Sequence, residues 1–227
     1  MQGICAYALD LSFDALNAVL GTKNKDVALM EVPEDLLLLR EEVRELYISG
    51  LSGAVPVWLG EFAHLEVLQL YGGFKNMDSE VDEYTNSSVS ALPQTLGDLE
   101  ALMVLTGTKF DALEALPASI GRLTSLKTLR IEACPALPEL PVMSAMAALK
   151  SLSLVNCARL KELPCLENLT AMEQLSLNSL AELTQLPTSI NKLMGQAHGS
   201  AQAETGWLHW DHAATINWEA ITKEPVH

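Results

Sequence analysis

Residues 149–164 read "LKSLSLVNCARLKELP", and residues 126–141 read "LKTLRIEACPALPELP". The two stretches place most of their leucines, one cysteine and the closing proline at the same positions, 23 residues apart. Apolar positions that recur at a fixed period of roughly 20–50 residues indicate a chain built from repeated structural units. The structure expected for each other segment of the chain therefore follows from its place within the repeat.

Prolines that follow leucine or valine mark the period along most of the chain. Their successive spacings are 23, 37, 24, 24, 23 and 23 residues. Each proline precedes a segment like L-x-x-L-x-L, whose last two apolar residues alternate as in a half-buried strand. Segments such as "ASIGRLTS" (118–125) space their apolar residues three apart, which suits a short helix or 3-10 turn. The marking prolines are Pro33, Pro56, Pro93, Pro117, Pro141, Pro164 and Pro187.

One such unit cannot bury its leucines alone, whereas stacked units share a continuous leucine core and a parallel sheet. The sequence therefore predicts an α/β leucine-rich-repeat solenoid over residues 27–194, with about six to seven coils. The parallel sheet is expected on the concave side, and short helical or 3-10 segments on the convex side. Residues 1–26 are predicted to form an N-terminal helical cap, with a helix after Ser12, and residues 195–227 a linker and a tryptophan-rich segment.

The repeat pattern L-x-x-L-x-L-x-x-C-x-x-L-x-x-L-P-x-S-I-x-x-L resembles that of plant intracellular disease-resistance receptors. It is also similar to the repeats of Ras-group leucine-rich-repeat proteins. This resemblance implies the fold but no single function, because the same repeats serve many partners. The phosphate loop G-x-x-x-x-G-K-[ST] is absent from the sequence, so the resemblance gives no nucleotide switch on this chain.

Two positions depart from the repeat. The second repeat is long, and its extra residues lie within "GGFKNMDSEVDEYTNSSVS" (72–90), which is polar and acidic. This stretch is predicted to leave the solenoid as a surface loop, either as a neutral insertion or as a partner-binding loop. Gly107 stands where a core leucine belongs, which predicts a thin or distorted coil.

Charge and composition limit the classes of partner. The net charge is −15, which argues against nucleic acid, and no run of 18 apolar residues predicts a membrane span. Residues 122–161 nevertheless carry a local charge of +4, which predicts that an acidic protein surface docks there, with an ordinary mixed surface as the alternative. The four cysteines form no C-x-x-C pair and favour a reducing, intracellular setting, cytoplasmic or organellar.

The search for catalytic and metal-binding patterns gives nothing positive. His209 and His212 stand three residues apart on a predicted helix, but solvated side chains explain them better than a metal site. Cys134 and Cys157 occupy one repeat position, where a disulfide is conceivable and inert buried thiols are favoured. We therefore predict no enzyme, no metal site and no cofactor.

The predicted function is protein binding on the concave sheet, whose outward side chains follow from the phase of the repeat. The alternative is a structural accessory subunit built permanently into a larger assembly. The C-terminal tryptophans are predicted to form one helical stripe that either caps the last coil or anchors a partner. The candidate binding residues are Tyr47, Gln69, Tyr71, Thr106, Thr128, Arg130, Glu132, Lys150, Ser153, Ser176, Trp207, Trp210 and Trp218.

Overall fold

The computed structural model of the chain describes residues 39–51, 55–72 and 87–190, together with the backbone of residues 8–12 and 208–211. Within these residues, eight parallel strands form one sheet in chain order. Each coil thus adds one strand to the edge left by the coil before it. The strands are β1 (Ala8–Ser12), β2 (Glu45–Leu51), β3 (Val67–Gly72), β4 (Val104–Thr108), β5 (Thr128–Glu132), β6 (Ser151–Val155), β7 (Gln174–Asn178) and β8 (Leu208–Asp211).

The strands form because their apolar residues alternate with polar ones, so that one face can be buried. In β5, Leu129 and Ile131 are buried, whereas Arg130 between them is exposed. The register aligns Leu129 with Leu105 on one side and with Leu152 on the other, which continues the leucine core through the stack. The predicted parallel pairing of β5, β6 and β7 is confirmed.

A left-handed residue turns the chain after each of the four strands from β4 to β7, with φ between 53° and 61°. The N–H groups of the first three still donate to the next strand, for example from Ala133 to the carbonyl of Val155 at 2.8 Å. The turn therefore begins without interrupting the hydrogen-bond ladder. The left-handed residues are Lys109, Ala133, Asn156 and Ser179.

The convex side carries three 3-10 helices among the described residues: η1 (Val57–Glu61), η2 (Gln94–Asp98) and η3 (Ala118–Arg122). Each begins directly after a marking proline, which confirms the predicted 3-10 segments. In the coils after Pro141 and Pro164, the stretch from proline to the next core position is one residue shorter, and turns replace the helix. The length of this stretch, one residue longer in the coils of η1 to η3, thus distinguishes the coils with a 3-10 helix from these two coils with turns.

Glycines allow the 3-10 helices to stack closely. Gly60, Gly97 and Gly121 hold equivalent positions in η1, η2 and η3. A β-carbon on Gly97 would lie 2.4 Å from the carbonyl oxygen of Ser119, and one on Gly121 would lie 2.2 Å from that of Val142. Because neither distance is sterically possible, any side chain there would push adjacent coils apart.

The expectation of a thin or distorted coil at Gly107 is wrong. The register of β4 with β3 and β5 continues unbroken through Gly107. The buried ring of Phe110 lies beside it: a β-carbon on Gly107 would be 3.5 Å from Cε2 of Phe110 and 3.4 Å from Cδ1 of Ile131. Phe110 holds the position of Cys134 and Cys157 in later coils, and its larger side chain occupies the space that the missing leucine leaves.

The acidic insertion leaves and re-enters the solenoid at adjacent points. β3 ends at Gly72, and a β-carbon there would lie 2.6 Å from Cβ of Ser87. The Ser87 hydroxyl donates to the carbonyl of Leu51 at 2.8 Å, and its N–H donates to Oδ2 of Asp111 at 3.0 Å. These bonds fix the return of the chain. The predicted loop itself, residues 73–86, lies outside the described residues.

The two flanks extend the sheet. β1 aligns Leu9 and Leu11 with the buried Leu46 and Ile48 of β2. The predicted helix after Ser12 lies outside the described residues.

The helical stripe predicted for the C-terminal tryptophans is wrong at Trp210, which lies in strand β8. The register places Leu208 beside Leu175 and Trp210 beside Leu177. The open edge of β7 offers unpaired backbone groups, and this tertiary context overrides the local helical pattern.

Candidate partner-binding surface

The outward side chains of the six strands from β2 to β7 form a surface that we call the concave face. The strand register arranges them in three columns that cross the sheet. Neighbouring strands lie about 4.8 Å apart, so a column of six strands extends about 24 Å. The middle column contains Tyr47, Gln69, Thr106, Arg130, Ser153 and Ser176; the outer positions are Glu45, Ser49, Val67, Tyr71, Val104, Thr108, Thr128, Glu132, Ser151, Val155, Gln174 and Asn178.

One corner of the concave face departs from regular pairing. β2 shifts its register against β3 between Ile48 and Leu51. Gly50 lies within this bulge at φ 74°, a conformation that glycine adopts without the steric cost of a β-carbon. Ser49 therefore lies in the bulged stretch, whereas the other seventeen positions follow the regular register.

Hydrogen bonds within the concave face hold its long side chains. The Tyr47 hydroxyl donates to Glu45 Oε2 at 2.8 Å, and the Tyr71 hydroxyl donates to Gln69 Oε1 at 2.7 Å. Residues two apart in a strand share one face, which brings these partners together. The orientation of both rings is thus set before any partner arrives.

The two tyrosines of the concave face lie at one end of it, and three of its four serines lie at the other. The tyrosines lie on β2 and β3, whereas Ser151, Ser153 and Ser176 lie on β6 and β7. Charge is scarce throughout, because Glu45, Arg130 and Glu132 are the three charged residues among the eighteen concave positions. A nearly neutral face on a chain of net charge −15 is well suited to polar and apolar contacts.

Arg130 lies at the centre of the concave face. Its Nε and Nη2 both donate to Oε2 of Glu132, at 3.0 and 2.8 Å. Half of the Arg130 side chain is exposed, against 29% for Glu132. The register places Thr106 and Ser153 on its two sides. The guanidinium is therefore anchored along one edge and open to solvent elsewhere.

A sequence comparison identifies the family. The family described as "Leucine-rich repeat region" matches residues 42–198, well over half of the chain. The chain belongs to this family. Its leucine-rich-repeat architecture agrees with the solenoid predicted from the period, whereas the resemblance to plant resistance receptors is only loosely supported. No curated protein sequence matches this leucine-rich-repeat protein significantly.

Several solved structures are similar to this leucine-rich-repeat protein. The leucine-rich repeat domain of the type III effector XopL shares 22% identity at a TM-score of 0.44, with coverage of 92% of this chain and 77% of that domain. A plant peptide hormone receptor, RGFR1, in complex with RGF2 shares 20% identity at a TM-score of 0.39, with coverage of 82% and 40%. A leucine-rich-repeat protein of Leptospira interrogans shares 18% identity at a TM-score of 0.42, with coverage of 82% and 57%. This chain thus spans less than two thirds of the second and third of these proteins.

The structure distributes the thirteen predicted binding residues unevenly. Nine of them lie on the concave face, six in its middle column. Lys150 lies directly before the first residue of β6 and is paired with Glu173 at 2.5 Å. The backbone of Trp210 lies in β8, and Trp207 and Trp218 lie outside the described residues.

Sequence reasoning missed two strand positions beyond the middle column. The backbone register pairs Asp10 of β1 with Tyr47 and His209 of β8 with Ser176. The signal was present, because "LDL" (9–11) and "LHW" (208–210) alternate apolar and polar residues. Both segments lack the marking proline at the usual distance, so the period did not reveal them.

The six cations of residues 122–161 do not form one patch. Arg122 belongs to η3 on the convex side, Lys127 and Lys150 precede their strands, and Arg130 lies on the concave face. Arg122 is paired with Asp98 at 2.9 Å. Counting Asp98 and Glu173, the two carboxylates that come from outside the segment, lowers its local charge from +4 to +2. Exposed pairs of this kind contribute about 0–1 kcal/mol each to stability.

Cys134 and Cys157 are buried free thiols in adjacent coils. The Cys134 thiol donates to the carbonyl of Glu132, and the Cys157 thiol to that of Val155, each at 3.5 Å. The hydrogen bond with Cys157 and then burial raise the pKa of Cys134, which keeps that thiol protonated. A buried protonated thiol is a poor nucleophile, so this cysteine belongs to the core.

The described part of the chain contains no helix of the length and apolar character needed to cross a bilayer. It also contains no group of three or more His, Cys, Asp and Glu side chains placed to hold a metal ion. Of the two C-terminal histidines, His209 lies in a strand rather than a helix, and His212 lies outside the described residues.

Proposed function

We propose that this leucine-rich-repeat protein is a non-catalytic module that binds a protein partner on its concave face. The observation that carries the proposal is a nearly neutral, hydrogen-bonded surface of tyrosine, serine, threonine, asparagine and glutamine on an acidic solenoid. Tyrosine supplies a large contact area with few rotatable bonds, and small polar side chains supply adaptable hydrogen bonds.

Rigidity supports the same proposal. Each concave side chain stands on a strand paired on both sides, above a core whose leucines are buried. Binding to such a platform orders few groups, so little conformational entropy is lost on association. Tyrosine and arginine are also enriched among residues that contribute most to binding. Tyr47, Tyr71 and Arg130 are therefore expected to contribute most of the affinity.

Site-specific photo-crosslinking tests the proposal. A photoreactive amino acid replaces Gln69 or Ser153 on the concave face, and Gln94 on the convex side is the matched control because its side chain is exposed. In native extract, the concave positions should crosslink to one common protein and the convex position should not. Crosslinks from Gln94 alone would move the partner to the other side of the solenoid.

The alternative is an accessory subunit held permanently in a larger assembly. Two exposed valines favour it: Val57 and Val142 are 54% and 72% exposed, and each follows a marking proline on the convex side. Size-exclusion chromatography of native extract separates the two functions. A module elutes largely at the size of the free chain, whereas a permanent subunit elutes only in the assembly. Replacing Val142 with serine should release the chain from an assembly that packs on this side.

A further inference from the structure

We infer that Arg130 is a recognition residue for a carboxylate, and that the concave face takes a partner segment bearing an Asp or Glu side chain among uncharged polar residues. This inference rests on the proposed function and specifies the chemistry of the partner. It concerns one position in the middle column rather than a general attraction between charged surfaces.

The donors of Arg130 support this assignment. Glu132 accepts from Nε and from one N–H of Nη2, through a single carboxylate oxygen. No described residue accepts from Nη1, so the Nη1–Nη2 edge is available. That edge presents two parallel N–H groups, the geometry that binds a carboxylate through both of its oxygens.

The surroundings of Arg130 favour a carboxylate over a second cation or an apolar group. Thr106 and Ser153 stand on its two sides in the register and offer hydroxyls, with Thr106 only 8% exposed. Lys127, directly before the same strand, has no carboxylate within 4.0 Å among the described residues and contacts the sulfur of Met103 at 3.2 Å. Arg130, Glu132 and the neighbouring Lys127 together carry a charge of +1, although the chain as a whole is acidic and the concave face is nearly neutral. Electrostatic complementarity then selects an acidic group.

Glu132 is a positioning residue in this arrangement, and it has two opposing effects. Its Oε2 holds the guanidinium in place, while its negative charge repels an incoming carboxylate. Replacement by glutamine keeps an oxygen acceptor but removes the charge. Glu132→Gln should therefore strengthen the binding of an acidic segment, whereas a merely structural role predicts no gain.

The test selects a random dodecapeptide library, displayed on phage, on the full chain. Enriched peptides are then synthesised with amidated C-termini, and their affinities are measured by calorimetry. Changing the enriched Asp or Glu to its amide should weaken binding by about tenfold, as loss of a charged hydrogen bond does. Arg130→Gln should weaken the acidic peptide equally and abolish the difference between acid and amide. Glu132→Gln should tighten it by a few fold.

Arg122→Gln is the matched control, because Arg122 is an exposed, carboxylate-paired cation on the convex side, and it should leave affinity unchanged. The inference is overturned if the library enriches nothing, if enriched peptides lack acidic residues, or if Arg130→Gln selects the same acidic peptides. Binding that needs a free peptide C-terminus also overturns it, because the carboxylate would then not be a side chain. In each case, concave crosslinks from Gln69 and Ser153 would leave the proposed function standing, whereas their absence would remove both.

Discussion

Placing a leucine at Gly107 and a cysteine at Phe110 should restore the packing pattern of the neighbouring coils. In β5 and β6 the equivalent pairs are Ile131 with Cys134 and Leu154 with Cys157, a large residue followed by a small one. The coil of β4 reverses this order, with a glycine and then a fully buried ring. The double variant Gly107→Leu/Phe110→Cys should therefore be more stable than the summed effects of its two single substitutions predict.

The contacts give the expected magnitudes. A β-carbon on Gly107 already lies 3.4–3.8 Å from Ile131 and from the Phe110 ring, so a leucine there overpacks the core at a cost of about 1–3 kcal/mol. Phe110→Cys alone empties most of a buried ring site and should cost about 3 kcal/mol, the low end for truncation of a buried Phe to Ala. In the double variant the leucine fills the emptied space. Its cost should be at least about 2 kcal/mol below the sum of the single changes.

Equilibrium urea unfolding of the four proteins in this cycle, followed by circular dichroism, measures the coupling. Gly107→Leu combined with Leu177→Ala, three strands away, is the control and should be additive within about 0.5 kcal/mol. If Gly107→Leu and Phe110→Cys are additive to the same degree, the ring of Phe110 does not occupy the space of the missing leucine, and the account of this coil is refuted.

Three further predictions concern the convex side, the turns and the C-terminus. Gly97→Ala should destabilise the chain by about 1–3 kcal/mol in urea unfolding because its β-carbon would lie 2.4 Å from Ser119, whereas Gly107→Ala, with its nearest contact at 3.4 Å, should be neutral or gain about 0.5–1 kcal/mol. Ala133→Gly should gain about 0.5–1 kcal/mol in the free energy of unfolding because φ is 53° there, and Ala136→Gly, three residues later, should lose stability; equal losses would contradict the role of the left-handed residue. Deleting residues 200–227 removes the strand paired with β7 and should lower the melting temperature more than deleting 213–227, which leaves that strand in place; an unchanged melting temperature would favour the tail as a partner anchor.

The repeat carried most of the fold information. The alternation of Leu129, Arg130 and Ile131 determines which side chains can be buried, since only one face of a strand meets the stacked core. The same phase predicted the middle column from Tyr47 to Ser176. What the phase could not supply was the pairing of side chains between neighbouring columns, because hydrogen bonds such as that from Tyr71 to Gln69 depend on rotamers.

The sequence by itself determined the period, which follows from comparing repeats, and the inward leucines, the outward positions and the 3-10 segments, which depend on residues within one repeat. The tertiary structure decided three further matters: that Phe110 compensates for Gly107, that Arg122 and Lys150 are neutralised by carboxylates outside their own segment, and that the chain adds strands at both ends of the sheet. Each of these depends on contacts between coils or at the open edge of the sheet. Such contacts arise only when coils are stacked, and no local stretch of sequence contains them.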